Sequence, residues 1–368
     1  MSVEAYVNDH VKRLARYEVK EASELPEEAV KLDANENLLL SEGWIRGLVR
    51  EAVERVDIRL YPPMYASKAV KAVAEFLGVS ERNVIVDNGS DYIIDLVAKC
   101  FVGPRARALV VEPTFEMYRF YVEALGGVAE SFYMTPEFAL DLDHLLAKAR
   151  EAKVIFLASP NNPTGTQHPR EVVERLAEEF KGVLVVDEAY CPFADFDLGY
   201  LPFKYSNVII LRSFSKVAGL AGLRLGYAIV SDEVYSYLSR LQSPYSVNAV
   251  AQEAVKLVLE NWGFIENVVE QVKAERDRMI KEISSIRGLR PYSSKANFVL
   301  FKVKLEGVSS RMLVKMLGEK GFRVRERSLK PLLDNCIRVT VGPPSVNTSF
   351  IKALREVVEG VQEGAKGF

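Results

Sequence analysis

The chain has 368 residues, of which 49% are hydrophobic and 27% charged, and its formal net charge is −2. That length calls for more than one compact unit, and that apolar content excludes a disordered chain. A balanced charge, with a pI of about 6.1, offers no basic stripe, so nucleic acid is not an expected partner.

No run approaches the roughly 20 apolar residues of a membrane span. Residues 1–16 scatter charges through the start of the chain and lack the apolar centre of a signal peptide. Cys100, Cys191 and Cys336 are far apart and odd in number, so neither a disulfide framework nor a metal site is expected. A reducing cytoplasm is the simplest setting for them. The three histidines, His10, His144 and His168, are not where the chemistry is expected.

From residue 67 onward, helical patterns alternate with short apolar runs. The runs are NVIVDN (83–88), ALVVE (108–112), KVIFLA (153–158), GVLVVDE (182–188), NVIILR (207–212) and LGYAIV (225–230). Such continuous runs suit strands buried on both faces. Helical patterns cover 67–77, 91–101, 117–124, 142–150 and 171–180, and the alternation predicts a mostly parallel α/β sheet with helices on both sides. A long helical stretch over 247–286 reads as a connector. Beyond it, ANFVLFKV (296–303), FRVRER (322–327) and CIRVTVG (336–342) predict a smaller sheet, with helices over 309–318 and 347–359. The expected division is a large unit over 41–280 and a small one made of 1–40 and 281–368.

Ligands in open α/β sheets bind at the carboxyl ends of strands, and four such ends here carry chemistry. NVIVDN runs into Gly89, Ser90 and Asp91 at a helix start, which is either an ordinary cap or a phosphate site. KVIFLA ends in SPNNPTG (159–165), a rigid turn with amide side chains to spare. GVLVVDE places Asp187 at the end of a buried strand, where an acid needs a cation, either a structural one or one brought by a ligand. NVIILR leads to Ser213, Ser215 and Lys216, then Arg224 among glycines, a setting in which a lysine can form a Schiff base. Pyridoxal 5′-phosphate (PLP) asks for all of these groups: a lysine for its aldehyde, an acid for its ring nitrogen, and donors for its phenolate and phosphate oxygens.

At these segments the chain resembles the fold-type I, class I/II PLP-dependent aminotransferases, and among them most closely the histidinol-phosphate aminotransferase family. The similarity runs through LDANEN (32–37), RLYPP (59–63), DNGSD (87–91), EPTFEMY (112–118), SPNNPTG, VVDEAY (185–190), SFSKVAGLAGLRLGY (213–227), SPYSVNAVAQ (243–252), ANFVLF (296–301) and CIRVTVG. It implies a mostly parallel seven-stranded sheet in a large domain, beside a smaller α+β domain. It implies that Lys216 holds PLP and shuttles a proton, that Asp187 pairs with the ring nitrogen, and that Asn162 and Tyr190 bind the phenolate oxygen. Ser90, Asp91, Ser213, Ser215 and Arg224 would hold the phosphate, with Tyr61 reaching across a homodimer interface to the partner's phosphate. Phe115 would stack on the ring. Arg338 would grip the substrate's carboxylate or its equivalent, Arg325 would lie near the substrate side group, and Asn35 and Tyr17 would line the pocket.

The chain departs from that family's pattern at Leu38, Pro63 and Tyr92, none of them an expected cofactor contact. These departures leave the substrate open. Transamination between L-histidinol phosphate and 2-oxoglutarate, in histidine biosynthesis, is the first expectation. A decarboxylase acting on an amino acid phosphate such as L-threonine O-3-phosphate, and an aromatic or broad-range aminotransferase, are the alternatives. A nicotinamide dehydrogenase is not expected, because no GxGxxG follows the first strand.

Overall fold

The computed structural model describes residues 2–15 and 29–364. After β1 (Val30–Lys31), residues 84–230 build a seven-stranded sheet from β2 (Val84–Asn88), β3 (Arg107–Glu112), β4 (Val128–Tyr133), β5 (Ala152–Ala158), β6 (Val183–Asp187), β7 (Val208–Ser213) and β8 (Leu225–Val230). Their order is β2-β8-β7-β6-β5-β3-β4, and β8 alone runs antiparallel to its neighbours. Alternate residues of the central strands feed two separate cores. Ile155, Leu184 and Ile210 face one, while Phe156, Val185 and Ile209 face the other. Burial on both faces explains why these strands read as unbroken apolar runs.

A four-stranded antiparallel sheet follows, in the order β12-β13-β10-β9, from β9 (Leu289–Pro291), β10 (Phe298–Val303), β12 (Arg325–Glu326) and β13 (Cys336–Thr340). The remaining strand, β11 (Phe322–Arg323), pairs in parallel with β1. Leu32 donates its N–H to Arg323 and accepts from Thr340, so the segment before the large sheet is clipped to the strands that come after it.

Three sequence expectations need correction. The stretch 322–327 is two strands, because buried Val324 turns the chain from pairing with β1 to pairing with β13. The connector over 247–286 is two helices, Ala249–Glu260 and Trp262–Ser284. They break at Asn261, whose side chain donates back to the Leu257 carbonyl at 2.8 Å. Strand β4 is not anticipated at all, since it is an edge strand with only Ala129 and Phe132 buried and so carries no apolar run.

Candidate active site

Strands β2, β3, β5, β6 and β7 all end at one edge of the large sheet, and β8 starts there. The expected residues Ser90, Asp91, Phe115, Asn162, Asp187, Tyr190, Ser213, Ser215, Lys216 and Arg224 line one cavity of about 280 Å³ at that edge. Asn35 lines it from the N-terminal segment, and Arg325 and Arg338 line it from the small sheet. Tyr61 does not. It is 83% exposed and lies against Tyr245, with ring centroids 4.8 Å apart. Tyr17 lies outside the described residues.

The floor is Asp187, the last residue of β6. Its Oδ1 accepts the Ala189 N–H at 2.9 Å and its Oδ2 accepts the Tyr118 hydroxyl at 2.6 Å. Burial pushes the carboxyl above its ordinary value, while Tyr118, the Ala189 N–H and Lys216 pull the other way. An ionised Asp187 is therefore favoured by a cation placed in the cavity.

Lys216 follows β7 in a single helical turn, Phe214–Val217, started by Ser213, whose hydroxyl accepts the Ser215 N–H at 3.1 Å. Its Nζ donates to the Ala34 carbonyl at 2.8 Å. Although it faces the cavity, the amine is enclosed by protein. Burial first, and the charge of Arg338 second, lower its pKa to about 8. Desolvation, rather than neighbouring charge, is the main cause of the depression. At neutral pH an appreciable fraction is thus neutral and nucleophilic.

At one end, the helix Gly89–Phe101 presents its first turn with no side-chain cap from Asn88. Uncapped amides and the helix dipole favour an anion there. Arg224 donates to Asp91 Oδ2 at 2.9 Å beside that turn. The Ser215 Oγ is buried without a hydrogen-bond partner among the described residues. Gly226 on β8 makes this approach possible, since a Cβ there would overlap the Ser90 backbone nitrogen.

At the other end, Arg338 donates through Nη1 to Asn162 Oδ1 at 2.5 Å and through Nη2 to the Asp33 carbonyl. Burial first, then the charges of Arg327 and Arg325, lower its pKa to about 10, partly offset by Tyr190 and Asp33. Asn35, in the left-handed region at φ 58°, donates to the Tyr190 hydroxyl at 2.9 Å. Its own carbonyl accepts from Asn297 at 3.0 Å. Arg325 and Arg327 add cationic wall, and Glu116 lies near Arg327 and Lys330 at 3.7 and 3.3 Å.

Sequence reasoning missed Tyr118, Asp33, Glu116 and Arg327 as lining residues. The signal for Tyr118 was its spacing. It stands three residues after Phe115, and the two rings meet edge-on at 5.7 Å. The assembled cavity can take a ligand with a carbonyl for Lys216, a cationic ring atom for Asp187 and a phosphate for the helix start, and a second anion near the arginines.

The family model described as aminotransferase class I and II matches residues 27–354. A curated relative, the histidinol-phosphate aminotransferase of Thermococcus gammatolerans, is 34% identical over 358 residues, spanning 97% of this chain and 99% of the relative. Among solved structures, the histidinol-phosphate aminotransferase of Sinorhizobium meliloti in complex with pyridoxal-5′-phosphate superposes with a TM-score of 0.86 at 24% identity, covering 96% of this chain and 98% of that one. The L-threonine-O-3-phosphate decarboxylase of Porphyromonas gingivalis superposes with a TM-score of 0.79 at 24% identity, covering 90% and 99%. The two structural similarities carry the fold, which is that of fold-type I PLP enzymes.

Proposed function

Since this chain belongs to the class I and II aminotransferases, which are PLP-dependent enzymes, we propose that it moves an amino group between L-histidinol phosphate and 2-oxoglutarate. The observation that carries the reading is the cavity itself. An amine with a pKa of about 8 and a buried carboxylate face one space, and Arg325, Arg327 and Arg338 wall it. Two anionic substrates, a phosphate ester and a dicarboxylate, suit such a wall. The name of the curated relative supports the phosphate ester.

The residues fit PLP. Lys216 would take its aldehyde and Asp187 its ring nitrogen. Asn162 and Tyr190 would take its phenolate oxygen. The first turn of Gly89–Phe101, with Ser90, Asp91, Ser213, Ser215 and Arg224, would take its phosphate, and Phe115 would cover one ring face. The orphaned Ser215 hydroxyl and the uncapped helix start are the marks of an anion site.

When bound, the cofactor supplies an electrophilic carbon for the amine and an aromatic system that accepts the electron pair left at the substrate Cα. The chain does the rest. Asp187 would hold a proton on the ring nitrogen by supplying the opposite charge. Lys216 would move a proton between the substrate Cα and the cofactor carbon on the far side of the bridging nitrogen, which requires the partly neutral amine that burial provides. Arg338, held by Asn162 and the Asp33 carbonyl, fixes the substrate's anion and so the orientation of its Cα.

On the same reading the large unit spans 41–280, and 1–40 with 281–368 form the small one. The pairing of β1 with β11 supports this division. We also assign a homodimer in the cytoplasm. Exposed Tyr61 and Tyr245 support a partner surface near the phosphate end, where Asn88 donates to the Ser246 carbonyl beside Tyr245. A fully active monomer in light scattering would remove the dimer from the account. The substrate is tested by adding L-histidinol phosphate to the holoenzyme without an oxo acid and following the cofactor's absorbance. Carbon dioxide release from L-threonine O-3-phosphate, with no oxo acid required, would select the decarboxylase instead.

A further inference from the structure

Tyr118 touches two of the groups that the reading above assigns to the cofactor ring. It is the second residue of the helix Met117–Ala124 and is fully buried. Its hydroxyl donates to Asp187 Oδ2 at 2.6 Å, while Ala189 N–H serves the other carboxylate oxygen. Its ring lies parallel to Phe156, with centroids 5.2 Å and planes 8° apart, and it meets Phe115 edge-on at 84°. Phe156 belongs to β5, so the hydroxyl is fixed by the sheet core and not by a loop.

We propose that Tyr118 is a positioning residue that orients the Asp187 carboxylate and keeps the proton shared with a bound pyridine ring on the ring nitrogen. This rests on the pairing of Asp187 with that nitrogen.

The physical case has three steps. A hydroxyl donated to a buried carboxylate favours its ionised form, by roughly tenfold in proton affinity. Tyr118 keeps its proton available to donate, since burial and the Asp187 charge hold its phenol well above the ordinary value. The charged or titratable groups that face Asp187 are Tyr118, Asp91, Lys216, Tyr190 and Cys191. Asp91 opposes ionisation, and Lys216 acts only through charge, so neither replaces a directed donor. Without the hydroxyl, the carboxylate draws the shared proton to itself and the ring becomes a neutral, weaker electron acceptor.

The test is a pH titration of visible absorbance in holoenzyme, wild type against Tyr118→Phe. Each protein is loaded with PLP or with its 1-deaza analogue, which has carbon in place of the ring nitrogen. A positive ring opposes protonation of the nearby nitrogen linked through Lys216, so weakening that charge raises the midpoint. The expected result with PLP is a midpoint about half a unit to one unit higher in Tyr118→Phe. With the analogue, the two proteins should agree. Equal midpoints with PLP, or a shift that persists with the analogue, overturn the proposal. A wild-type midpoint that is the same with PLP and with the analogue overturns the Asp187 pairing, and the proposal falls with it. If Tyr118→Phe does not fold or retain cofactor, Tyr118→3-fluorotyrosine decides. Its stronger donor keeps the midpoint at or below wild type, and a rise contradicts the proposal.

Discussion

Arg338 joins the two sheets: from β13 its Nη1 donates to Asn162 Oδ1, in the loop after β5, at 2.5 Å. The same guanidinium reaches the Asp33 carbonyl and lies 5.4 Å from the centroid of Phe298. Its planar fork serves all of these at once, which a lysine cannot do. Arg338→Lys should therefore lower kcat/KM by roughly 30-fold, chiefly through KM. Steady-state kinetics against both substrates checks this, and an unchanged KM would remove Arg338 from substrate binding.

Arg325 separates the substrate readings. It lines the cavity from β12, and its register partner on β13 is Arg338. If it receives the substrate phosphate, Arg325→Ala should cost roughly 10- to 100-fold in kcat/KM on L-histidinol phosphate. On a neutral aromatic amine the loss should stay within about threefold. Equal losses on the two amines would make Arg325 a structural residue.

Gly226→Ala should weaken cofactor binding without touching any reacting group. The added methyl would meet the backbone of Gly89 and Ser90, pushing the helix start away from β8. Overpacking of this kind costs about 1–3 kcal/mol. The cofactor's dissociation constant, measured by absorbance, should rise at least about tenfold.

His168 should make the fold acid-sensitive. It is buried with neither ring nitrogen partnered among the described residues, and burial lowers its pKa from 6.5 to about 4. Between those values the unfolded chain binds the proton and the folded chain does not. Stability is therefore complete above pH 6.5 and falls as pH drops towards about 4, by up to about 3 kcal/mol. Urea unfolding across that window should show the decline in wild type. In His168→Leu the decline should be shallower by that amount.

The site was legible because its residues sit at strand ends, where apolar runs stop abruptly at polar groups. Asp187 ends a buried strand, and Asn162 and Lys216 each follow one, so a local pattern located them. What escaped was tertiary. Tyr118 reads as a helix residue until the fold brings it to Asp187, 69 positions away. The Asp33 carbonyl, as backbone, leaves no mark in the sequence. In the fold, β4 escaped because an edge strand needs no continuous apolar run, and the break at Asn261 escaped because a single asparagine, though it favours caps and turns, does not by itself mark an end in the long helical pattern on either side.

The central claim is that this cavity performs amino transfer on a phosphate-bearing amine, and absorbance spectroscopy of the holoenzyme tests it directly. L-histidinol phosphate, added without any oxo acid, should convert the Lys216-linked cofactor to its amino form, and 2-oxoglutarate should restore it. A cofactor spectrum indifferent to L-histidinol phosphate but responsive to another amine would contradict the substrate. Protein supplied with PLP that develops no linked-cofactor absorbance would contradict the role of Lys216 itself.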